Sequence, residues 1–449
     1  MTSTGIYCRS ICPAKASKDA NVRYYATAAE AAEAGFRPCL RCRPESAPGS
    51  PAWLGTCAVV RRALRLIESG ALDQSSVEEL AGHLGVGARH LGRLFNRHVG
   101  TSPMAVARTR RLHFAKQLLD ETGLPITQIA LASGFGSVRR FNDAFRDTYR
   151  RAPRELRKTH HRSVDAEIRL RLAYRPPYDW QWMSECLARR AIRGLEAVEG
   201  GVYRRVVRAA GNVVTVEVSQ TAAADALELR IIGGEASELL ALASNARRMF
   251  DLTADPARIR EVLARDPQLT ALVARRPGLR IPGHWDLFES GVRTLLHREG
   301  PEDAQRILAQ LVAAPGQSPG EGAAAARVFP DAAALARADA ARFGCPAGLA
   351  ATLREFAGEV MRGGVRGAPL DEAIRAAFPP LQGSRASEYV ALFGLGDPDA
   401  LPCDEGELKA RLAAFGSGAA ADVRARSESW RPFRGYAALH LFAAGGSIR

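Results

Sequence analysis

The residues best equipped for chemistry are four cysteines near the start of the chain. Cys8 and Cys12 form a C-x3-C pair in YCRSIC, and after 26 intervening residues Cys39 and Cys42 form a C-x2-C pair in RPCLRCRP. Together they are half of the eight cysteines in 449 residues. Two close pairs supply the four soft, deprotonated ligands that a tetrahedral zinc ion requires. Disulfides and four unrelated thiols are the competing readings. The spacing favours the metal, but it does not make any of the four reactive. The second pair follows Gly35 and lies among Arg37, Arg41 and Arg43, a basic setting suited to a tight turn beside DNA.

The rest of the chain must position these residues. A length of 449 residues allows about three domains, and 47% hydrophobic residues are ample for buried cores. No apolar run reaches about 20 residues, so no membrane-spanning helix is expected. MTSTGIYCRS has neither the charged start nor the apolar stretch of a secretory signal. The expectation is a cytoplasmic protein at the bacterial nucleoid, and a reducing compartment argues against disulfides.

The net charge of +14 is uneven. Residues 1–52 carry +3, residues 53–163 carry +10 from 19 Lys or Arg against 9 Asp or Glu, and the remainder carries +1. A basic excess confined to one stretch fits a polyanionic partner, above all nucleic acid. A solvated Arg-rich surface is the plain alternative.

Composition divides the chain. ESAPGSPAW (Glu45–Trp53) reads as a linker, and residues 53–157 show apolar positions at three- and four-residue spacing, a helical pattern. KTHHRSVDAE marks a second junction. VVTVEV (Val213–Val218) and LELRII (Leu227–Ile232) alternate as strands do, and helices return from Glu238, interrupted by the loop-like AAPGQSPGEGAAAA. The fold class expected is multidomain α+β, with segments at 1–50, 53–158, 168–245 and 246–449.

Within the basic stretch, Val77, Leu80, Ala81 and Leu84 make one helical face, Gly85 supports a turn, and Leu91, Leu94 and Phe95 continue a second helix. About fifty residues later Ile126, Ile129 and Ala130 precede Gly134, and Phe141 and Phe145 repeat the design. Two such units joined by one helix resemble the AraC-type activator domain, notably in GFGSVRRFNDAFRDTYRRAPRELRK. The resemblance implies recognition helices at about Ala88–His98 and Val138–Arg146, with Arg89, His90, Arg93, Arg139, Arg140 and Asn142 facing DNA. Arginine reads guanine in the major groove, while other basic residues mostly hold phosphates.

STGIYCRSIC, YYATAAEAAEAGF and RPCLRCRP resemble the N-terminal domain of the Ada DNA-repair regulators. That resemblance implies zinc on Cys8, Cys12, Cys39 and Cys42, with Cys8 also accepting a methyl group from a DNA methylphosphotriester and Arg37 and Arg41 beside the DNA. Four thiolates on zinc carry a formal charge of about −2, and methylating one leaves about −1, which favours approach to phosphates. Only seven residues precede Cys8, where the family has a strand-bearing stretch.

The third resemblance, to AlkA-type 3-methyladenine DNA glycosylases, rests on YRPPYDWQWMSECLARRAIRGLEAVEGGVYRR, FDLTADP, RRPGLRIPGHWDLFESGVRTLL and WRPFRGYAALHLF. It implies a strand-and-helix subdomain followed by a helix-hairpin-helix core that flips an alkylated base and cleaves its glycosidic bond. Asp404 in GLGDPDALPCDEGELKARL would stabilise the charge developing on the sugar. Gly383 would approach a phosphate, and Tyr389, Trp430 and Phe442 would wall the base pocket. Asp397 and Asp399 read as turn residues.

Two departures stand out. The hairpin, P-G-I-G-x-W-T-A in the family, is PLQGSRASEY here, and the G-Q-x-V-S wedge loop is HREGPED, with Glu299 at the wedge position. A regulator with a glycosylase domain that has lost its chemistry is therefore the alternative to a full repair enzyme. Cys186, Cys345 and Cys403 lie in no P-C-H-R motif, which excludes O6-methylguanine repair by such a motif. The expected partners are double-stranded DNA, at promoters and alkylated sites, and RNA polymerase. A monomer without membrane attachment is expected.

Overall fold

The computed structural model describes residues 1–8, 19–25, 28–39, 58–68, 70–157, 167–209, 211–221, 225–297, 300–314, 327–338, 343–362, 385–403, 405–413 and 423–445. The chain forms two compact units, Met1–Ala173 with Ala226–Ser244, and Tyr174–Asp225 with Asn245–Arg449. Among the described residues no helix is long and apolar enough to cross a membrane.

The first unit opens with β1 (Ile6–Tyr7), α1 (Ala28–Glu33) and β2 (Arg37–Pro38). β1 and β2 pair in parallel, Ile6 with Arg37 and Tyr7 with Pro38. A strand thus directly precedes Cys8, within the seven residues before it.

Helices follow: α2 (Ala58–Glu68), α3 (Ala71–Gln74), α4 (Val77–His83), α5 (Ala88–His98), α6 (Pro103–Glu121), α7 (Ile126–Ala132), α8 (Val138–Tyr149) and α9 (Pro153–Leu156). Ser76 starts α4 with a capping box, accepting from the Glu79 amide while the Glu79 side chain accepts from the Ser76 amide. Ser102 and Ser137 cap α6 and α8 in the simpler way. Gly85 and Gly134 turn the chain after α4 and α7 with φ of +67° and +77°, where a side chain would be strained. Leu80, Leu91 and Phe95 are buried with Val60 and Leu64 in one apolar cluster. Phe141 and Phe145 bury the corresponding face of α8 completely. The unit also contains β3 (Glu167–Ala173) and β7 (Ala226–Ile232), paired antiparallel from Glu167 opposite Ile232 to Ala173 opposite Ala226.

In the second unit, α10 (Trp180–Arg190) precedes an antiparallel meander of β4 (Glu196–Glu199), β5 (Val202–Ala209) and β6 (Asn212–Gln220). Along β5 the two-residue period buries Tyr203, Arg205 and Val207 and turns Arg204 and Arg208 outward. The helical remainder comprises α11 (Leu239–Met249), of which residues from Asn245 belong here, α12 (Pro256–Leu263), α13 (Pro267–Arg275), α14 (Leu287–Leu296), α15 (Pro301–Ala313), α16 (Ala332–Arg337) and α17 (Ala347–Arg362). Short helices follow at Arg385–Tyr389, Glu405–Ala413, Val423–Glu428 and Arg434–Ala444. Val292, Leu296, Ile307, Leu311, Leu353 and Phe356 form the centre of its helical core. A mixed architecture of helices and sheets is thus what the sequence patterns required, with VVTVEV inside β6 and LELRII inside β7.

Candidate functional site

The cysteine segment is organised by its two short strands. α1 ends with the Phe36 amide donating to Ala31 O and the Gly35 amide to Ala32 O, both near 3 Å, the paired bonds of a Schellman closure. That closure turns the chain straight into β2. The Arg37 amide donates to Gly5 O at 2.8 Å and the Cys39 amide to Tyr7 O at 3.0 Å, which continues the ladder past both strands. Cys8 and Cys39 are therefore each the residue after its strand, at the same end of a parallel pair. Cys39 is buried and Cys8 half-buried. Arg37 is half-buried in β2.

One member of each cysteine pair is thus delivered to one place, as a shared metal ion requires. Cys12, Arg41 and Cys42 lie outside the described residues, and among those described no group of three or more metal-ligating side chains occurs. The thiols of Cys8 and Cys39 fit zinc in donor chemistry, and the register of their strands brings both to one end of the pair.

Above this segment lies a buried polar contact. The Tyr7 hydroxyl and His113 Nε2 are 2.7 Å apart, with both side chains shielded from solvent. Burial lowers the His113 pKa to about 4, so the imidazole is neutral at pH 7.

α5 spans the residues assigned to the first recognition helix, and α8 runs three residues beyond the second, to Tyr149. Arg89, His90, Arg93, Arg139 and Arg140 are exposed on them. Asn142 is half-buried rather than exposed, since it sits on the flank of α8 beside the fully buried Phe141. Asp73 of α3 anchors α6 through Arg110 and Arg111, each at 3.0 Å.

In the second unit the three expected pocket aromatics have different surroundings. Tyr389 is half-buried, with its ring stacked on His297 at 5.3 Å and 23° and tilted against Phe393 at 4.4 Å. Trp430 has no exposed surface, and its indole N–H donates to Asp266 Oδ2 at 2.9 Å. Asp266 also caps α13 through the Gln268 amide and accepts from Arg426. Trp430 is therefore held in the core by a buried carboxylate rather than left open as a wall. Phe442 is buried as well, with the Arg411 guanidinium 4.2 Å above its ring. Asp404 and Gly383 lie outside the described residues, as does Glu299.

Asp397 Oδ1 accepts from the Asp399 amide at 3.1 Å, and Asp399 receives Arg434 at 3.0 Å and Arg431. These two residues serve the turn, as expected. Just before them, Val390–Gly394 forms a π-helical turn. Its Phe393 O accepts from the His284 amide at 2.7 Å, and its Gly394 O accepts from Arg248 at 2.9 Å.

Sequence reasoning missed a closed ring of buried charges. Arg205 donates to Glu196 at 2.8 Å and to both Glu289 oxygens. Arg293 donates to Glu289 at 2.7 Å and to Glu196 at 2.6 Å, and the Tyr203 hydroxyl donates to Glu196 at 2.7 Å. Burial pushes the Glu196 carboxyl up, but Arg293 and Arg205 more than offset this and hold it at about 2. The only hint in the sequence is Arg205 on the inward side of an alternating strand.

Comparison with known proteins adds the following. The family model of the metal binding domain of Ada matches residues 1–45, a helix-turn-helix domain matches 80–159, and the AlkA N-terminal domain matches 169–286. A probable bifunctional transcriptional activator/DNA repair enzyme AlkA of Mycobacterium tuberculosis is 37% identical, over 98% of this chain and 91% of that protein. The bifunctional transcriptional activator/DNA repair enzyme Ada of Escherichia coli is 36% identical over 30% of this chain and 36% of its own length. DNA-3-methyladenine glycosylase 2 of the same organism is 32% identical over 61% of this chain and 97% of its own. The solved 3-methyladenine DNA-glycosylase of Archaeoglobus fulgidus superposes with a TM-score of 0.52 at 18% identity, over 62% of this chain and 99% of that one. That last likeness shows the fold.

Proposed function

The chain belongs to the family of the bifunctional transcriptional activator/DNA repair enzymes, and from that premise we propose that it senses alkylated DNA at Cys8, activates transcription through α5 and α8, and excises alkylated bases with its second unit. The observation that carries the sensor is the parallel pairing of β1 and β2, which sets Cys8 and Cys39 side by side. A zinc ion bound by Cys8, Cys12, Cys39 and Cys42 would keep the thiols deprotonated at neutral pH. In the transfer itself, Cys8 Sγ attacks the methyl carbon of a methylphosphotriester. The S–C bond forms as the C–O bond breaks, and the phosphodiester anion leaves with that electron pair.

The half-exposed side of Cys8 suits this role, and the buried Cys39 suits a permanent support. Loss of one thiolate charge then favours the approach of the cysteine segment to DNA phosphates. We assign RNA polymerase as the partner that the DNA-bound monomer recruits. Zinc analysis combined with mass spectrometry after exposure to methylated DNA tests the sensor. One zinc and one methyl on Cys8 support it, and a chain that holds no zinc overturns it.

For base excision, Asp404 is the carboxylate assigned to offset the positive charge on the sugar as the C1′–N bond breaks and its electron pair leaves with the base; water then bonds to C1′ and gives up a proton. Tyr389 is the wall assigned to stack on that base. Release of 3-methyladenine that Asp404→Asn abolishes supports the assignment. The second reading, a regulator whose second unit has no excision chemistry, is favoured by one contact: His297 already occupies a face of Tyr389.

A further inference from the structure

The segment that carries Cys8 is attached to the DNA-reading helices at three places within the first unit. Tyr7, the residue immediately before Cys8, hydrogen-bonds His113 in the middle of α6 at 2.7 Å. The Glu30 side chain of α1 passes directly over Gly100, one residue beyond the cap of α5. A Cβ at Gly100 would stand 2.3 Å from Glu30 Cδ, so only glycine lets the two approach so closely. Phe36, beside β2, shares a cleft of about 320 Å³ with Arg108 and Leu112 of α6 and Asp147 of α8. The cysteine segment thus reaches the end of one recognition helix, the flank of the other, and the helix that joins them.

The Tyr7–His113 contact differs from the other two in being directional and buried. Tyr7 also has its main chain tied to the second cysteine arm, since its carbonyl accepts from the Cys39 amide. A shift of either cysteine therefore moves Tyr7, and Tyr7 cannot move without breaking a hydrogen bond that no solvent reaches.

We propose that Tyr7 and His113 are positioning residues that couple the methyl acceptor to the recognition helices, so that the cysteine segment and both helix-turn-helix units meet DNA as one body. This rests on the reading of Cys8 as the methyl acceptor. Charge loss at Cys8 alone would act only where the cysteine segment itself touches DNA. Through Tyr7 and His113 the same event alters the affinity of the whole unit.

The test compares promoter binding by full-length protein before and after methylation, for the wild type, Tyr7→Phe, Tyr7→Phe/His113→Leu and His113→Gln. The double variant keeps an apolar pair of similar bulk, and His113→Gln restores an acceptor for the Tyr7 hydroxyl. The expected result is that the methylation-dependent gain in affinity falls by about fivefold or more in the double variant, while His113→Gln retains most of it. Methyl uptake on Cys8 and zinc content should be unchanged in all four proteins. If unmethylated and methylated forms weaken by the same factor, the pair is merely structural and the proposal is overturned. Should the double variant not fold, Tyr7→Phe, which removes a single hydroxyl, carries the comparison.

If the wild type itself takes no methyl, the Cys8 reading fails, and amide hydrogen exchange then judges the coupling separately. The Arg37 and Cys39 amides should exchange faster in Tyr7→Phe, with α6 unaffected. Unchanged exchange overturns the attachment whatever Cys8 does.

Discussion

The Cys39 amide donates to the Tyr7 carbonyl at 3.0 Å, and this bond sets the two arms of the cysteine segment in register. Cys39 is buried where Cys8 is half-buried. Replacing Cys39, the proposed support, should therefore differ from replacing Cys8, the proposed methyl acceptor. Cys39→Ala is expected to lower zinc well below one per chain and to abolish methyl uptake. In Cys8→Ala the mass increase of about 14 Da on the Cys8 peptide is lost, with zinc weakened but detectable, because the ligand removed is the half-buried one and the buried Cys39 stays in place. Metal analysis and peptide mass spectrometry on both variants check this. Equal zinc in Cys39→Ala and the wild type would remove Cys39 from the site.

Arg89, Arg93, Arg139 and Arg140 are exposed on well-packed helices, of which α8 is capped by Ser137. An arginine that reads a guanine edge should cost about 1–3 kcal/mol when changed to alanine, and should relax specificity at one position of the operator. One that holds a phosphate should weaken all sequences alike and reduce the salt slope by about one. Titrations of Arg89→Ala and Arg140→Ala against promoter and random duplex, at several salt concentrations, sort them. A variant with unchanged affinity and slope lies outside the interface.

Glu196, ringed by Arg205, Glu289 and Arg293, contributes a pH-dependent part of the stability of the second unit. The Glu196 carboxyl titrates near 4.5 when the chain is unfolded and is held at about 2 when folded. The unfolded chain then binds more protons between those values, so the stabilisation is present above pH 4.5 and is lost as pH falls toward 2. Removing one partner from such a buried set costs about 3–5 kcal/mol. Glu196→Gln should thus be clearly less stable than the wild type at pH 7, and the gap should narrow below pH 4.5. Urea unfolding at pH 7, 4 and 3 measures it, and a gap that widens in acid would contradict the assignment.

How much of this was legible in the sequence depends on how far apart the partners lie. The repeated helix-turn-helix units were readable because their signals are local: turn glycines at Gly85 and Gly134, and apolar spacing within each helix. The cysteine pairs were readable from spacing, although the register that unites Cys8 with Cys39 depends on two strands of only two residues each. The charge ring was not legible, since Arg205 and Glu289 are 84 positions apart and the one local signal, Arg205 on the inward side of its strand, does not name a partner. The core contact of Trp430 was hidden for the same reason. Its partner Asp266 lies 164 residues away, and an aromatic beside a family motif does not reveal whether its N–H already has a buried acceptor.

That partner makes a prediction about the base pocket. Trp430→Phe removes the indole N–H together with one of its two rings, and leaves Asp266 with its Arg426 and Gln268 contacts. A loss of about 1–3 kcal/mol in stability follows from removing a donor to a buried carboxylate. The rate of base excision by the molecules that remain folded should be unchanged. Thermal unfolding and single-turnover excision, measured together, separate the two effects. A fall in rate without a fall in stability would return Trp430 to the pocket wall.

The last prediction concerns His297. Its ring lies 5.3 Å from that of Tyr389, close to parallel, and it caps the end of α14 as the first residue of the HREGPED stretch. Burial and the nearby Arg385 charge lower its pKa, with Glu407 acting the other way, so the imidazole is neutral at pH 7 and stacks as an uncharged ring. A flipped base seeking the same face of Tyr389 must displace it, giving up a ring contact of about 0.5–1.5 kcal/mol. His297→Ala removes that competition. If the second unit excises alkylated bases, the variant should release 3-methyladenine roughly twofold to tenfold faster at subsaturating enzyme. If the unit is only a DNA-binding module, both proteins stay at background. A slower variant would mean that His297 assists the base instead of competing with it.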